Sequence, residues 1–152
     1  MRLQYVLKKH AEVFMIKVLV NGAFDILHSG HINLLKYAKD IGNYTSPISS
    51  SYLVVALDTD ERIRLTKGPD RPINSQRIRK LIMENLKPVD EVVLFGTDKE
   101  LINIIKEVDI RVIGSDWKHK HIVGEEHCKL LFYDRTNNES TTNTIKNYLS
   151  RR

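Results

Sequence analysis

Two histidines, His28 and His31, lie three positions apart around Ser29 and Gly30, and Asp25 precedes them in the same loop. They stand where a short apolar run, Val18-Leu19-Val20, gives way through Asn21-Gly22 to helical spacing at Ile32, Leu35 and Ala38, flanked by Leu34 and Ile41. Gly22 permits backbone angles that other residues avoid at such a turn. The pattern reads as buried strand, polar turn and helix start. Open parallel sheets bind ligands in the crevice at that point. The free N–H groups and positive dipole end of the helix favour an anion there. Paired imidazoles add donors that follow charge onto a phosphate in the transition state. Further along, Lys67 and Arg71 supply cations in a loop, Lys67–Asn74, stiffened by Pro69 and Pro72. Ser140-Thr141-Thr142 stand before a final helix, where hydroxyls both cap and donate to phosphate. There is no Ser–His–Asp set, no redox pair and no carboxylate dyad. The chemistry that needs donors and cations but little covalent machinery is phosphoryl or nucleotidyl transfer.

The elements that position these groups alternate. Met15–Val20 opens the first strand, and Met1–Phe14 reads as an appendage ahead of a single domain, Met15–Arg152, either a short helix or read-through from an upstream start. A Ser, Pro and Gly-bearing stretch, Gly42–Ser51, marks a loop. Tyr52–Leu57 is a continuous apolar run, as in a strand covered on both faces. Asp58-Thr59-Asp60 then either cap a helix or meet a ligand. Asn74 or Ser75 caps a helix whose apolar stripe is Ile78, Leu81, Ile82 and Leu86. Val92–Phe95 is a strand, followed by a helix with Leu101, Ile104, Ile105 and Val108 inward, then strands at Asp109–Gly114 and Lys129–Tyr133 and a last helix at Asn143–Leu149. The expected fold is α/β: a doubly wound, Rossmann-like parallel sheet of about five strands with helices on both faces.

Composition narrows the partners. The 152 residues suit one domain with a full core. A net charge of +5 suits an anionic ligand. The basic residues are scattered, aromatics are 7%, and no helix-turn-helix, zinc-finger or RNP-like pattern appears, so a small phosphate-bearing substrate is expected rather than nucleic acid. One cysteine, Cys128, excludes an intrachain disulfide and fits a cytoplasmic location. Val13–Val20 is broken by Lys17 and is too short to span a membrane. Lys118-His119-Lys120-His121 with His127-Cys128 fits no common zinc spacing, so no metal site is expected; a basic loop touching phosphate is.

Gly22-Ala23-Phe24-Asp25 followed by His28-Ser29-Gly30-His31 resembles the GxFDxxHxGH signature of the cytidylyltransferase-like nucleotidyltransferases. The resemblance covers nearly all the chain from Lys17 onward. It implies nucleotide contacts at Gly22, Ala23, Phe24, Asp25 and Gly30. Arg79 matches a family arginine that contacts the triphosphate. Ser115-Asp116-Trp117 resembles a segment near bound nucleotide or acceptor. Arg135-Thr136 with Ser140-Thr141-Thr142 matches the family's closing phosphate contacts, and Glu139 departs from the usual apolar residue or cysteine. Asp58, Arg71 and Trp117 are the candidates for acceptor binding.

The reaction so implied is attack by an acceptor phosphate on the α-phosphorus of ATP or CTP, with pyrophosphate leaving. His28 and His31 stabilise the α-phosphoryl oxygens, Lys67 and Arg79 hold the β- and γ-phosphates, and Mg2+ arrives with the nucleotide. The acceptor is a phosphorylated sugar or polyol. Lys67-Gly68, Arg71–Asn74, Ile122-Val123-Gly124 and Ser140–Asn143 are similar to the adenylyltransferase domain of ADP-heptose synthase, which is favoured. Asp116-Trp117 and Arg135-Thr136 look like glycerol-3-phosphate cytidylyltransferase, the alternative; an archaeal-type FAD synthase comes third. Related enzymes often pair, so a homodimer is expected, although no interface is marked. A nucleotide-sensing binding domain on the same fold is the non-enzymatic alternative, since fold alone does not set function.

Overall fold

The computed structural model describes residues 14–45, 49–134, 145–147 and 150. Five strands form one sheet: β1 (Phe14–Gly22), β2 (Ser49–Asp58), β3 (Glu91–Phe95), β4 (Ile110–Gly114) and β5 (Lys129–Tyr133). Every pairing is parallel and the order is β3-β2-β1-β4-β5. Helices connect them: α1 (Ser29–Thr45), α2 (Asp60–Lys67), α3 (Gln76–Glu84) and α4 (Asp98–Ile105), with a single 3-10 turn at Ser115–Trp117. The chain leaves β1 toward one side of the sheet and returns at β4 on the other. The carboxyl ends of β1 and β4 therefore flank the switch point where such sheets bind ligands.

Alternation along the strands divides the core into two layers. Val18, Val20, Val55 and Val112 pack with Leu34, Leu35 and Ala38 of α1 and Met83 of α3. Leu19, Val54 and Ala56 face the other way, onto Phe95 and onto Leu101 and Ile105 of α4. Helix α4 is entered through a reciprocal cap. Thr97 Oγ1 accepts from Glu100 N at 3.2 Å, and the Glu100 carboxylate accepts from Thr97 N at 3.2 Å and Gly96 N at 2.7 Å.

Three expectations are corrected. The stretch 42–51 is mostly not a loop: α1 continues to Thr45 and β2 begins at Ser49. Gly42 is the reason the two meet. Its N–H donates to Ser51 Oγ at 2.6 Å, Ser49 Oγ donates to its carbonyl, and a Cβ there would lie 2.5 Å from the Ser50 carbonyl carbon. The Lys67–Asn74 loop starts one residue late, because Lys67 closes α2 and Gly68, with φ +97°, caps it through a 3.0 Å bond to the Arg64 carbonyl. Most of the expected stripe of α3 faces outward: Ile78, Leu81 and Ile82 are exposed, Leu86 just beyond the helix is half-buried against the core, and Arg79 and Met83 are the buried positions. β1 begins at Phe14, and residues 1–13 lie outside the described residues.

Candidate active site

The turn after β1 is strained and held. Phe24 and Ile26 have φ of +47° and +53°, in the left-handed region that β-branched and bulky side chains avoid. Gly22, expected to supply the unusual angle, is close to extended at φ +159°. Two anchors over-determine the turn, as such strain requires. The Asp25 carboxylate, buried, accepts from Ile73 N at 2.7 Å, Asn74 N at 2.9 Å and Arg71 Nε at 3.3 Å. The Ala23 carbonyl accepts from Arg79 Nη1 at 2.7 Å. The loop 71–74 and the helix behind it are thereby tied to the strand end that carries the histidines.

Helix α1 starts directly after this turn. The His28 carbonyl accepts from His31 N at 3.0 Å and Ile32 N at 3.3 Å, so the first turn begins between the two imidazoles. Their rings are stacked, with centroids 3.8 Å apart and planes at 25°, and His31 also meets the Phe24 ring at 5.1 Å. A cleft of about 490 Å³ opens here. His31 lines it together with Gly22, Ala23, Phe24 and Asp25; His28 stacks on His31 but is not itself among the cleft-lining residues.

Cations share the cleft with them. Lys67, exposed at the end of α2, and Arg71 both line the cleft. Asp58 lines it at the end of β2 with Oδ1 held by Arg62 Nε at 2.9 Å. Burial pushes the Asp58 carboxyl above its ordinary range, and Arg62 opposes that shift. Neither carboxylate of Asp58-Thr59-Asp60 caps α2; Thr59 does, accepting from Arg62 N. Asp60 instead accepts from Gln76 N at 2.7 Å and Arg79 Nη2 at 2.8 Å. Trp117, half exposed on the 3-10 turn, lines the far wall with Lys120 Nζ 4.9 Å from its ring centroid.

Arg79 departs from the triphosphate role. Its side chain is fully buried, its three kinds of nitrogen are engaged by Ala23, Asn74 and Asp60, and it is not among the cleft-lining residues. It positions the site and does not face it. Asp116 is exposed and does not line the cleft either, whereas its neighbours Gly114 and Trp117 do. Gly30, half-buried in the first turn of α1, does not line it. Arg135, Thr136, Ser140, Thr141 and Thr142 lie outside the described residues. Sequence reasoning missed Arg62 and Arg111, which line the cleft. The available signal for Arg111 was a charge inside an apolar strand, Ile110-Arg111-Val112-Ile113. Among the described residues no group of three or more His, Cys, Asp or Glu converges to hold a metal, and no helix is long and apolar enough to cross a membrane.

A strained strand-to-helix turn with stacked histidines, opening on a cationic cleft at the switch point, is the arrangement of a nucleotide-binding α/β protein. The cytidylyltransferase-like family profile matches residues 19–147, and the chain belongs to that family. Among curated proteins it is 40% identical over 132 residues to the bifunctional protein HldE of Helicobacter hepaticus, covering 85% of this chain and 26% of that protein. It is 36% identical over 147 residues to HldE of Sulfurimonas denitrificans, covering 95% of this chain and 29% of that protein. The chain thus spans little over a quarter of these relatives. Among solved structures, a lipopolysaccharide core biosynthesis protein from Thermoplasma volcanium superposes with a TM-score of 0.60 at 26% identity, covering 82% of this chain and 98% of that one.

Proposed function

We propose that this chain is a nucleotidyltransferase. A phosphate oxygen of the acceptor attacks the α-phosphorus of a nucleoside triphosphate, the new P–O bond forms as the α–β bridging bond breaks, and the electron pair leaves with pyrophosphate. A phosphate monoester is already nucleophilic, so positioning and charge stabilisation carry the rate. The observation that carries this reading is the sharing of one cleft by His31, with His28 stacked on it at the start of α1, and the cations Lys67 and Arg71. In it, the imidazoles and the helix N-terminus meet the α-phosphoryl oxygens, and Lys67 draws in the β- and γ-phosphates. The donor set is cationic, and Asp25 and Asp58 are engaged by Arg71 and Arg62. Magnesium therefore enters as part of the nucleotide substrate.

The family membership and the HldE relatives support an acceptor of the sugar-phosphate class, with ATP and a heptose 1-phosphate favoured. A second reading, CTP with glycerol 3-phosphate, is favoured by one observation, the placement of Trp117 on the cleft wall. A homodimer is carried on the family resemblance alone, and a cytoplasmic location on the single cysteine, Cys128. Pyrophosphate release across the four nucleotides and a panel of phosphorylated acceptors tests the assignment. Turnover with ATP and a heptose 1-phosphate supports the first reading. Turnover with CTP and glycerol 3-phosphate alone establishes the second, and no pyrophosphate from any pair rejects the class.

A further inference from the structure

Four arginines are at least three-quarters buried in and around the cleft, and they are not alike. Arg62 is paired with Asp58 and Asp98, Arg71 with Asp25, and Arg79 with Asp60. Arg111 of β4 is 4% exposed, lines the cleft, and has no carboxylate partner among the described residues. Its Nε donates to Asn21 Oδ1 at 2.9 Å and its Nη1 to the Val123 carbonyl at 2.6 Å. Both acceptors are neutral. A guanidinium stays protonated in proteins and carries five N–H donors, so two neutral bonds leave both its charge and most of its donors unmatched. A charge taken out of water is costly unless it is paired. Burial indeed disfavours this guanidinium's charge.

Its position in the sheet says which part of a ligand it meets. Arg111 is in register with Leu19, which faces the α4 layer, whereas Val18, Val20 and Val112 face the layer of α1, the helix whose first turn carries His31. Asn21 follows Leu19 by two residues and so shares the Arg111 side, as their hydrogen bond requires. Leu101, Ile122 and Val123 supply an apolar wall to the cleft that Arg111 lines, with Trp117 and His121 in the same cleft. Gly124, with φ +72°, lets that wall close: a Cβ there would lie 2.8 Å from Ile105 Cδ1. A fixed cation on an apolar wall, across the strand ends from the histidines, faces a different part of the ligand from the one they hold.

We propose that Arg111 is a specificity-determining residue that anchors an anionic group of the acceptor on the α4 side of the cleft, while the triphosphate lies on the histidine side. This rests on the nucleotidyltransferase reading above and deepens it. The anion is either the acceptor's reacting phosphate or a second acidic group, and both would present the same oxygens to the guanidinium. Nothing in the reaction changes: Arg111 binds and orients, and bond making stays at the α-phosphorus.

The test is calorimetric binding and melting temperature for wild type, Arg111→Met and Arg111→Lys, which needs no turnover. The probes are ATP, CTP, glycerol 3-phosphate, a heptose 1-phosphate and 3-phosphoglycerate. The proposal expects nucleotide affinity within about twofold of wild type in both variants, acceptor affinity at least about tenfold weaker in Arg111→Met, and partial recovery in Arg111→Lys. A loss shared by all bound acceptors assigns the contact to the phosphate; a loss confined to 3-phosphoglycerate assigns it to the second acid. Acceptor affinity unchanged in a folded variant overturns the proposal. So does an equal loss of nucleotide and acceptor, or a wild type that binds nucleotide but none of the acceptors. If Arg111→Met does not fold, a folded Arg111→Lys with wild-type acceptor affinity overturns it as well. Wild type that binds neither ATP nor CTP is a different failure, that of the nucleotidyltransferase reading itself.

Discussion

The guanidinium of Arg79 donates from Nη1 to the carbonyl oxygen of Ala23 at 2.7 Å, joining α3 to the turn after β1 across 56 positions of chain. Its Nε donates to the Asn74 carbonyl and its Nη2 to the Asp60 carboxylate. Breaking a buried charge network by removing one partner typically costs about 3–5 kcal/mol. Arg79→Met is therefore expected to lose about that much stability, read from urea unfolding. Arg79→Lys, which keeps the charge and loses the planar fork, is expected to recover only a minor part. An unchanged unfolding midpoint with a raised nucleotide KM would return Arg79 to the triphosphate.

Asp25 organises the neighbouring loop in the same way, by accepting the backbone N–H groups of Ile73 and Asn74. In Asp25→Asn the charge is gone and one oxygen becomes a donor. Hydrogen bonds to charged groups contribute roughly 1.5–3 kcal/mol, so the amides of Ile73 and Asn74 should exchange with solvent at least about tenfold faster. Exchange rates equal to wild type would show that something else holds the loop.

Gly42 sets how closely α1 approaches β2. Although alanine is favoured over glycine in helices by up to about 1 kcal/mol, Gly42→Ala is expected to be destabilising by about 1–3 kcal/mol, because its methyl would overlap strand backbone rather than a movable side chain. A variant at least as stable as wild type, by thermal unfolding, would contradict this packing.

The α4 cap provides a pH signature. Backbone N–H donation from Gly96 and Thr97 holds the Glu100 carboxyl below its ordinary value of 4.5. A group whose folded pKa is depressed contributes stability that is present above the unfolded value and lost as pH falls through the folded one. The stability difference between wild type and Glu100→Gln should thus be constant well above pH 4.5 and shrink as pH falls below it. A difference that is flat across the acid range would remove the charge from the cap's contribution.

Much of this architecture is legible in the chain. Apolar runs at Val18–Val20, Tyr52–Leu57 and Ile110–Ile113 mark β1, β2 and β4, and the change of period after Gly30 marks α1. The histidine pair is legible because its spacing and its strand-to-helix context occur together. What was misread depends on partners distant in sequence. On α3, Ile78, Leu81 and Ile82 have the spacing of a buried stripe, yet Leu81 is 59% exposed. The inward position went to Arg79, because acceptors on Ala23, Asn74 and Asp60 converge there. Gly42 and the serines after it read as a loop because local composition cannot report that a helix and a strand touch through them. Likewise the left-handed angles fall on Phe24 and Ile26 rather than on glycine, since hydrogen bonds from loop 71–74 and α3 enforce them.

Pyrophosphate release by His28→Ala and His31→Ala, measured at saturating nucleotide and acceptor beside their unfolding midpoints, bears most directly on the site. Removing a donor aimed at transition-state charge typically costs two to three powers of ten, so each variant should fall by at least about 100-fold in rate while unfolding close to wild type. Two folded variants with near-normal rates would contradict any part for the stacked imidazoles in the chemistry.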